Sequence, residues 1–366
     1  MNGRNSSTKH LKRPTIIRNI MAETKLLLIY TGGTIGMAFD PTQNSLIPLN
    51  FKNLEEQIPE LARVPADIQV LSFIEPIDSS EMHPQHWVKM AQIIQENYEQ
   101  FDGFVVLHGS DTLAYTSSAL SFMLENLAKP VILTGSQLPI NTPRTDGKEN
   151  LITALELAAA KNKDGLPMVP EVSVYFDSQL LRGNRAVKAS SEEFTAFESP
   201  NFPAIAKAGV HIKFREKIII PPSNRMLCVH TNYSDQVGLL KLYPGMPQFM
   251  WQQLLNSDNI KGLVIESFGS GNSMKNPEFI AALSELSSRG VVIITVTQCQ
   301  SGGVSMGKYA SGKGLQKADV QSGGDMTTEA ALTKLMIGLG RGKTPEDIFL
   351  YMQSNVAGER SLISSL

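Results

Sequence analysis

From Leu26 onward, short apolar runs alternate with amphipathic segments, and few architectures accommodate that order. Leu26–Tyr30, Phe104–His108 and Val131–Leu133 read as buried strands, and Pro84–Tyr98, Ala114–Leu127 and Gly147–Ala160 as helices. Strands that alternate with helices predict a parallel sheet covered by helices. In such sheets ligands bind beyond the carboxyl ends of the strands. Two loops are expected there, Thr31–Gly36 and Gly109–Thr112.

A second alternating series follows, with strands at Leu227–His230, Val237–Leu242, Leu263–Glu266 and Val291–Thr297 and helices at Asn276–Ser288 and Thr327–Leu339. Between the two series the periodicity weakens and prolines gather at Pro200, Pro203, Pro221 and Pro222, which predicts a linker. The expected fold class is therefore α/β, with two α/β domains: a larger N-terminal parallel-sheet domain over residues 21–205 and a smaller C-terminal one over 226–366, joined by a linker at 206–225. Residues 1–20 are expected to be an extension, with Met21 as an alternative start, because they lack the continuous apolar stretch of a signal peptide.

A chain of 366 residues with 42% hydrophobic content is long enough to bury two cores. The formal charge of −2 includes Arg4, Lys9, Lys12, Arg13 and Arg18 in the first twenty residues, so the remaining body is mildly acidic. An acidic body argues against nucleic acid or an anionic membrane as partner and favours a small-molecule substrate. No apolar run approaches the roughly 20 residues that span a bilayer. Cys228 and Cys299 are too few for a disulfide framework, which fits a reducing cytoplasm.

Three loops can carry chemistry. Thr31-Gly32-Gly33-Thr34-Ile35-Gly36 sets two glycines between two threonines at a strand end, where glycine lets backbone N–H groups face a ligand. The plainer alternative is a tight strand-to-helix turn, while the dinucleotide order G-x-G-x-x-G is absent. His108-Gly109-Ser110-Asp111-Thr112 brings an acid and two hydroxyls to a helix N-terminus, where Ser110 or Asp111 could simply cap the helix. In Arg182-Gly183-Asn184-Arg185-Ala186-Val187-Lys188, the lysine either lies solvated on the surface or points back to the sheet end. A lysine desolvated beside hydroxyls can lose its proton and act as a base.

Other patterns do not hold. Gly303-Val304-Ser305-Met306-Gly307 matches G-x-S-x-G, but that elbow must join a strand directly to a helix and Gln298 to Gly303 intervenes. Gly342-Lys343-Thr344 would need a glycine where Ile337 stands to be a phosphate loop. His83 and His86 have metal-ligand spacing, but no further ligand completes a set. No metal and no cofactor are expected.

Taken together, these loops resemble the bacterial L-asparaginases, the cytoplasmic type I branch in particular. The likeness runs from Lys25 to Gly358 and is carried by Tyr30–Met37, Leu107–Glu125, Pro130–Pro139, Arg182–Lys188 and Thr297–Ser301. It implies hydrolysis of the side-chain amide of L-asparagine, with Thr34 as nucleophile, Lys188 as base, Thr112 as proton relay and Asp111 supporting them. It implies that Asp78, Ser79 and Asp111 hold the α-amino and α-carboxylate groups, with Thr112, Ser80 and Asn272 nearby. It also implies a homodimer or homotetramer. A glutaminase, another small-amide amidohydrolase and a non-catalytic amino-acid sensor are the alternatives, since fold does not fix substrate.

Two departures from the family pattern stand out. Leu46 occupies the place of a tyrosine in the segment after the first loop, and Tyr309, in a glycine-bracketed stretch of the C-terminal domain, is expected to supply the missing phenol. Glu266 stands where a second, regulatory asparagine site would have an arginine, and the reversed charge should alter recognition of a carboxylate there.

Overall fold

The structure, a computed structural model, describes residues 15–17, 24–40, 45–48, 58–306 and 310–361. It divides into two units, the first comprising residues 1–120, 124–198 and 204–229, the second residues 121–123, 199–203 and 230–366.

The first unit is built on a nine-stranded sheet whose strands are β1 (Thr15–Ile17), β2 (Lys25–Gly32), β3 (Asp67–Ile77), β4 (Gly103–Leu107), β5 (Val131–Thr134), β6 (Val172–Phe176), β7 (Gln179–Arg182), β8 (Ala206–Lys207) and β9 (Lys213–Phe214). Their spatial order is β1-β3-β2-β4-β5-β6-β7-β8-β9. The central strands β3, β2, β4, β5 and β6 are parallel, in a register that sets Leu28 beside Val105 and Val105 beside Ile132. The remaining edge pairings are antiparallel. Every residue of β4, Gly-Phe-Val-Val-Leu, is buried, as befits a central parallel strand covered on both faces. One face packs against helix α3 (Gly147–Ala159), whose Leu151, Ala154, Leu155 and Ala158 join Leu26, Leu28, Val105 and Ile132 in a single core cluster. Helices α1 (Pro84–Asn97) and α2 (Leu113–Met123) follow β3 and β4 in the chain.

Several segments differ from the expectation. Strand β3 has no counterpart in the sequence reading, yet it adjoins β2 at the middle of the sheet and carries Asp78 and Ser79 at its carboxyl end. Within residues 1–20, Thr15–Ile17 pairs with Val70–Ile68 as an edge strand. Residues 206–225 are not wholly a linker, because β8 and β9 within them extend the sheet; strands of two residues are too short to generate a periodicity. The helix expected to reach Leu127 ends at Met123, ahead of Asn126 with a left-handed φ of 65°. Leu124–Glu125 then pairs with Cys228–Val229, so the strand expected at 227–230 is confined to those two residues, which belong to the first unit.

In the second unit a four-stranded parallel sheet runs in the order β10 (Val237–Lys241), β11 (Gly262–Ser267), β12 (Val292–Thr297) and β13 (Gln321–Ser322). Leu240, Leu263, Ile265 and Ile293 pack with Trp251, Phe279 and Leu283 in its core. Helices α4 (Gln248–Leu255), α5 (Pro277–Ser288), α6 (Ala310–Lys317), α7 (Thr328–Gly340) and α8 (Pro345–Gln353) complete it. Asn276 caps α5, its side chain accepting from the backbone of Glu278 and Phe279, and Thr327 caps α7 through Ala330. Among the described residues no helix is long and apolar enough to cross a membrane.

Candidate active site

The carboxyl ends of β2, β3 and β4 deliver three loops to one place, and glycines set how closely they approach. Gly32 and Gly33 take φ of 137° and 84°, outside the range that L side chains readily adopt. A Cβ on Gly32 would lie 2.1 Å from the Ile77 carbonyl oxygen, and one on Gly33 would lie 2.4 Å from Gly109 Cα. A Cβ on Gly109 would meet Ser79 Oγ at 2.6 Å. The first loop therefore touches both the β3 and the β4 loops through bare backbone. Thr31 Oγ1 ties it to the Leu107 carbonyl at 2.9 Å, and the buried Tyr30 hydroxyl closes it by donating to the Gly36 carbonyl at 3.1 Å. Thr34 opens a short 3-10 turn there and remains partly exposed, while Ile35 and Gly36 after it are buried.

On the β3 loop, Asp78 accepts from both the backbone N–H and the hydroxyl of Ser80, each at 2.9 Å. Those bonds favour the carboxylate, the backbone one foremost, and hold its pKa below the ordinary value. Ser80 thus orients Asp78. Ser79 is buried and joins the β3 and β4 loops: its hydroxyl accepts from the Asp111 N–H at 3.3 Å and its carbonyl from the Thr112 hydroxyl at 2.7 Å.

The β4 loop does not act as a helix cap. Helix α2 starts at Leu113 with Thr112 at the N-cap position, and no side chain caps it. Ser110 and Asp111 face Lys188 instead. Lys188 Nζ donates to Ser110 Oγ at 2.9 Å and to Asp111 Oδ1 at 2.5 Å, with the lysine side chain only 18% exposed. The surface reading of Lys188 is thereby excluded. Its loop is anchored by the buried Arg182–Glu171 ion pair and by the Ser117 hydroxyl, which donates to the Gly183 carbonyl at 2.7 Å.

The grouping corrects one expectation. The hydroxyl that meets Lys188 belongs to Ser110, whereas Thr112 has committed its proton to the Ser79 carbonyl. Ser110 was visible in the sequence, but two hydroxyls within three residues of one loop cannot be ranked without side-chain directions. Gln137 also escaped the sequence reading: Ser110 donates to its Oε1 at 3.4 Å, while its amide nitrogen donates to the Glu193 carbonyl.

Beneath the loop, His108 is fully buried, and loss of hydration pushes its pKa down to about 4. Its Nδ1 lies 2.6 Å from the Gly109 carbonyl and must donate to it, because a carbonyl only accepts. Nε2 of the neutral ring then accepts from Thr116, whose oxygen accepts from the Trp87 indole N–H at 3.0 Å. Every polar atom of this buried chain is satisfied.

Asn272 lies in the second unit, where its backbone forms a bridge with Phe268. Tyr309 lies outside the described residues. Leu46 sits in a two-stranded ribbon, paired with Phe39. His83 and His86 form a capping box at the start of α1. Thr344 of the Gly-Lys-Thr string caps α8, its hydroxyl accepting from the Asp347 N–H.

The chain matches the family description "Asparaginase, N-terminal" over residues 25–220 and "Glutaminase/Asparaginase C-terminal domain" over residues 236–352. It is 41% identical over 343 residues to L-asparaginase 1 of Escherichia coli (strain K12), covering 93% of this chain and 98% of that protein. The 60 kDa lysophospholipase of Mus musculus is 39% identical over 363 residues, 93% of this chain and 63% of that protein. The crystal structure of L-asparaginase I from Vibrio cholerae O1 superposes with a TM-score of 0.83 at 37% identity, covering 93% of this chain and 100% of that one. With both family domains matched in order and the two-domain architecture shared with a solved L-asparaginase, the chain belongs to the asparaginase family.

Proposed function

We propose that this asparaginase hydrolyses the side-chain amide of L-asparagine to L-aspartate and ammonia through an acyl ester on Thr34. The observation that carries the reading is the Ser110–Lys188–Asp111 cluster set beside the glycine loop that bears Thr34. A threonine hydroxyl is a poor nucleophile until a neighbour takes its proton. Ser110 and Lys188 supply that path: the amine, held by Asp111, receives the proton through the Ser110 hydroxyl and returns it to the leaving nitrogen. Thr34 Oγ bonds the amide carbon, the C–N bond breaks, ammonia departs, and water cleaves the ester to release aspartate. Backbone N–H groups of the glycine loop stabilise the oxyanion, each contributing about 3 kcal/mol.

In this reading Asp78 holds the substrate α-ammonium, while Ser79 and Asp111 complete the grip on its α-amino and α-carboxylate groups, with Ser80, Thr112 and Asn272 around them. Tyr309 supplies the phenol that Leu46 cannot, so Tyr309→Phe should lower kcat roughly tenfold or more, as expected for loss of an acid–base group. No cofactor takes part. The enzyme works in the cytoplasm as a homo-oligomer, a dimer or tetramer.

Ammonia release from L-asparagine and L-glutamine, measured side by side on purified protein, tests the assignment. The expected result is a kcat/KM for asparagine well above that for glutamine. A preference for glutamine would move the assignment to the glutaminase alternative, and no release from either amide would favour an amino-acid sensor.

A further inference from the structure

The β3 loop that carries Asp78 and Ser79 runs without interruption into helix α1. Glu81 N–H bonds the Asp78 carbonyl at 2.9 Å, Met82 N–H bonds the Ser79 carbonyl at 3.2 Å, and His83 is the N-cap of the helix. What secures that junction is unusual in its chemistry. The His83 backbone N–H donates to His86 Nδ1 at 3.0 Å, and the Gln85 N–H donates to His83 Nδ1 at 3.4 Å. Capping boxes ordinarily use hydroxyls, carboxylates or amides, which go on accepting throughout the neutral pH range. An imidazole nitrogen accepts only while it is unprotonated, and both ring nitrogens donate once the ring is charged.

We propose that His83 and His86 are positioning residues that hold the substrate-gripping segment Asp78–Ser79 in place only as neutral imidazoles, so that affinity for substrate falls as the medium acidifies. The inference rests on the reading that Asp78 and Ser79 grip the substrate α groups.

Protonation would act in two ways. It removes the acceptors of two N–H groups and sets positive charge at a helix N-terminus, where the helix dipole already disfavours cations. It also alters the electrostatics of a cleft of about 480 Å³ that His86 and Asp78 line together.

Carboxylates and cations both surround the pair: Asp78, Glu75 and Glu81 line the same cleft, and Lys89 and His83 disfavour the charged His86 ring. Buried His108 lies close enough for His86 to depress it further. Partial burial, with His83 and Lys89, shifts His86 downward, so the neutral form prevails at neutral pH.

The test is the pH dependence of KM and kcat for asparagine from about pH 8 to about pH 5, a window that reaches below the ordinary imidazole range because His86 is shifted downward. For the wild-type enzyme KM should rise about tenfold across it with kcat changed less than about twofold, since loss of a cap corresponds to a factor of roughly 2 to 30. The double variant His83→Asn/His86→Gln keeps both acceptors without a titrating ring and should hold one KM throughout. His86→Leu, which lacks the acceptor, should show the raised KM at every pH. A flat wild-type KM, or the same rise in the double variant, would overturn the proposal. Asp78→Asn separates it from the reading beneath: unchanged KM in that variant at pH 8 overturns the substrate grip and the proposal with it, whereas a raised KM beside a pH-independent wild type overturns the proposal alone.

Discussion

Gly33 and Gly109 meet backbone to backbone, so closely that a Cβ on the first would lie 2.4 Å from the Cα of the second. The contact joins the loop that bears Thr34 to the loop that bears Ser110 and Asp111, and it leaves no room for a side chain on Gly33, while Ser79 closes the space beside Gly109. Gly33→Ala should therefore cost about 2–4 kcal/mol, by denaturant unfolding, and lower kcat at least about a hundredfold. Gly165→Ala is the control: its φ is also positive, at 76°, but nothing lies within 4 Å of the added methyl. That variant should lose only about 1 kcal/mol from backbone strain and keep full activity. Equal losses in the two variants would mean that strain alone, and not the close approach of the loops, governs the effect.

The hydroxyls should separate by role. Thr34→Ala is expected to lower kcat about a thousandfold or more, a barrier rise of about 4 kcal/mol. Ser110→Ala should lower it at least about a hundredfold, because it removes the hydroxyl in contact with Lys188. Thr112→Val removes only the hydrogen bond to the Ser79 carbonyl and should raise KM more than it lowers kcat. A large kcat loss in Thr112→Val beside an active Ser110→Ala would return the relay to Thr112.

Regulation by asparagine at a second site is not expected. Glu266 accepts from the Thr328 hydroxyl at 2.7 Å and pairs with Lys241 at 3.2 Å, so both of its oxygens are engaged and its charge repels a carboxylate. Initial rate against asparagine concentration should be hyperbolic. A Hill coefficient of about 2 would contradict this, since cooperativity requires a coupling free energy between sites.

Acid should weaken the fold through His108. Its pKa is about 4 when folded against 6.5 when free, so the unfolded chain binds the proton first. The neutral buried ring gives its full stability above about pH 6.5, and that stability is lost progressively as pH falls towards about 4. The loss amounts to about 3 kcal/mol, at about 1.4 kcal/mol per pKa unit. His108→Asn keeps a donor for the Gly109 carbonyl but does not titrate. Its stability should decline less steeply than the wild type between about pH 7 and about pH 4, by urea unfolding; parallel curves would exclude His108 as the source.

The sequence by itself determined the α/β class, the strands β2, β4, β5, β11 and β12, and the positions of the three loops proposed to carry the chemistry. The reason is that each is local: continuous apolar runs such as Leu26–Tyr30 must be buried, and paired glycines such as Gly32-Gly33 serve a backbone no other residue adopts. Only the tertiary structure decided which groups meet. Strand β3 is half-buried and interrupted by Pro76, so its pattern is weak, although pairing with β2 makes it central and brings Asp78 and Ser79 to the site. Lys188 lies 78 residues from Ser110 along the chain, and their contact depends on the ribbon between Val187–Lys188 and Phe197–Glu198 and on the anchoring of Gly183. The choice between Ser110 and Thr112 turned on which way two neighbouring side chains point. Spacing in a loop does not encode such directions, because they are set by partners that only folding supplies.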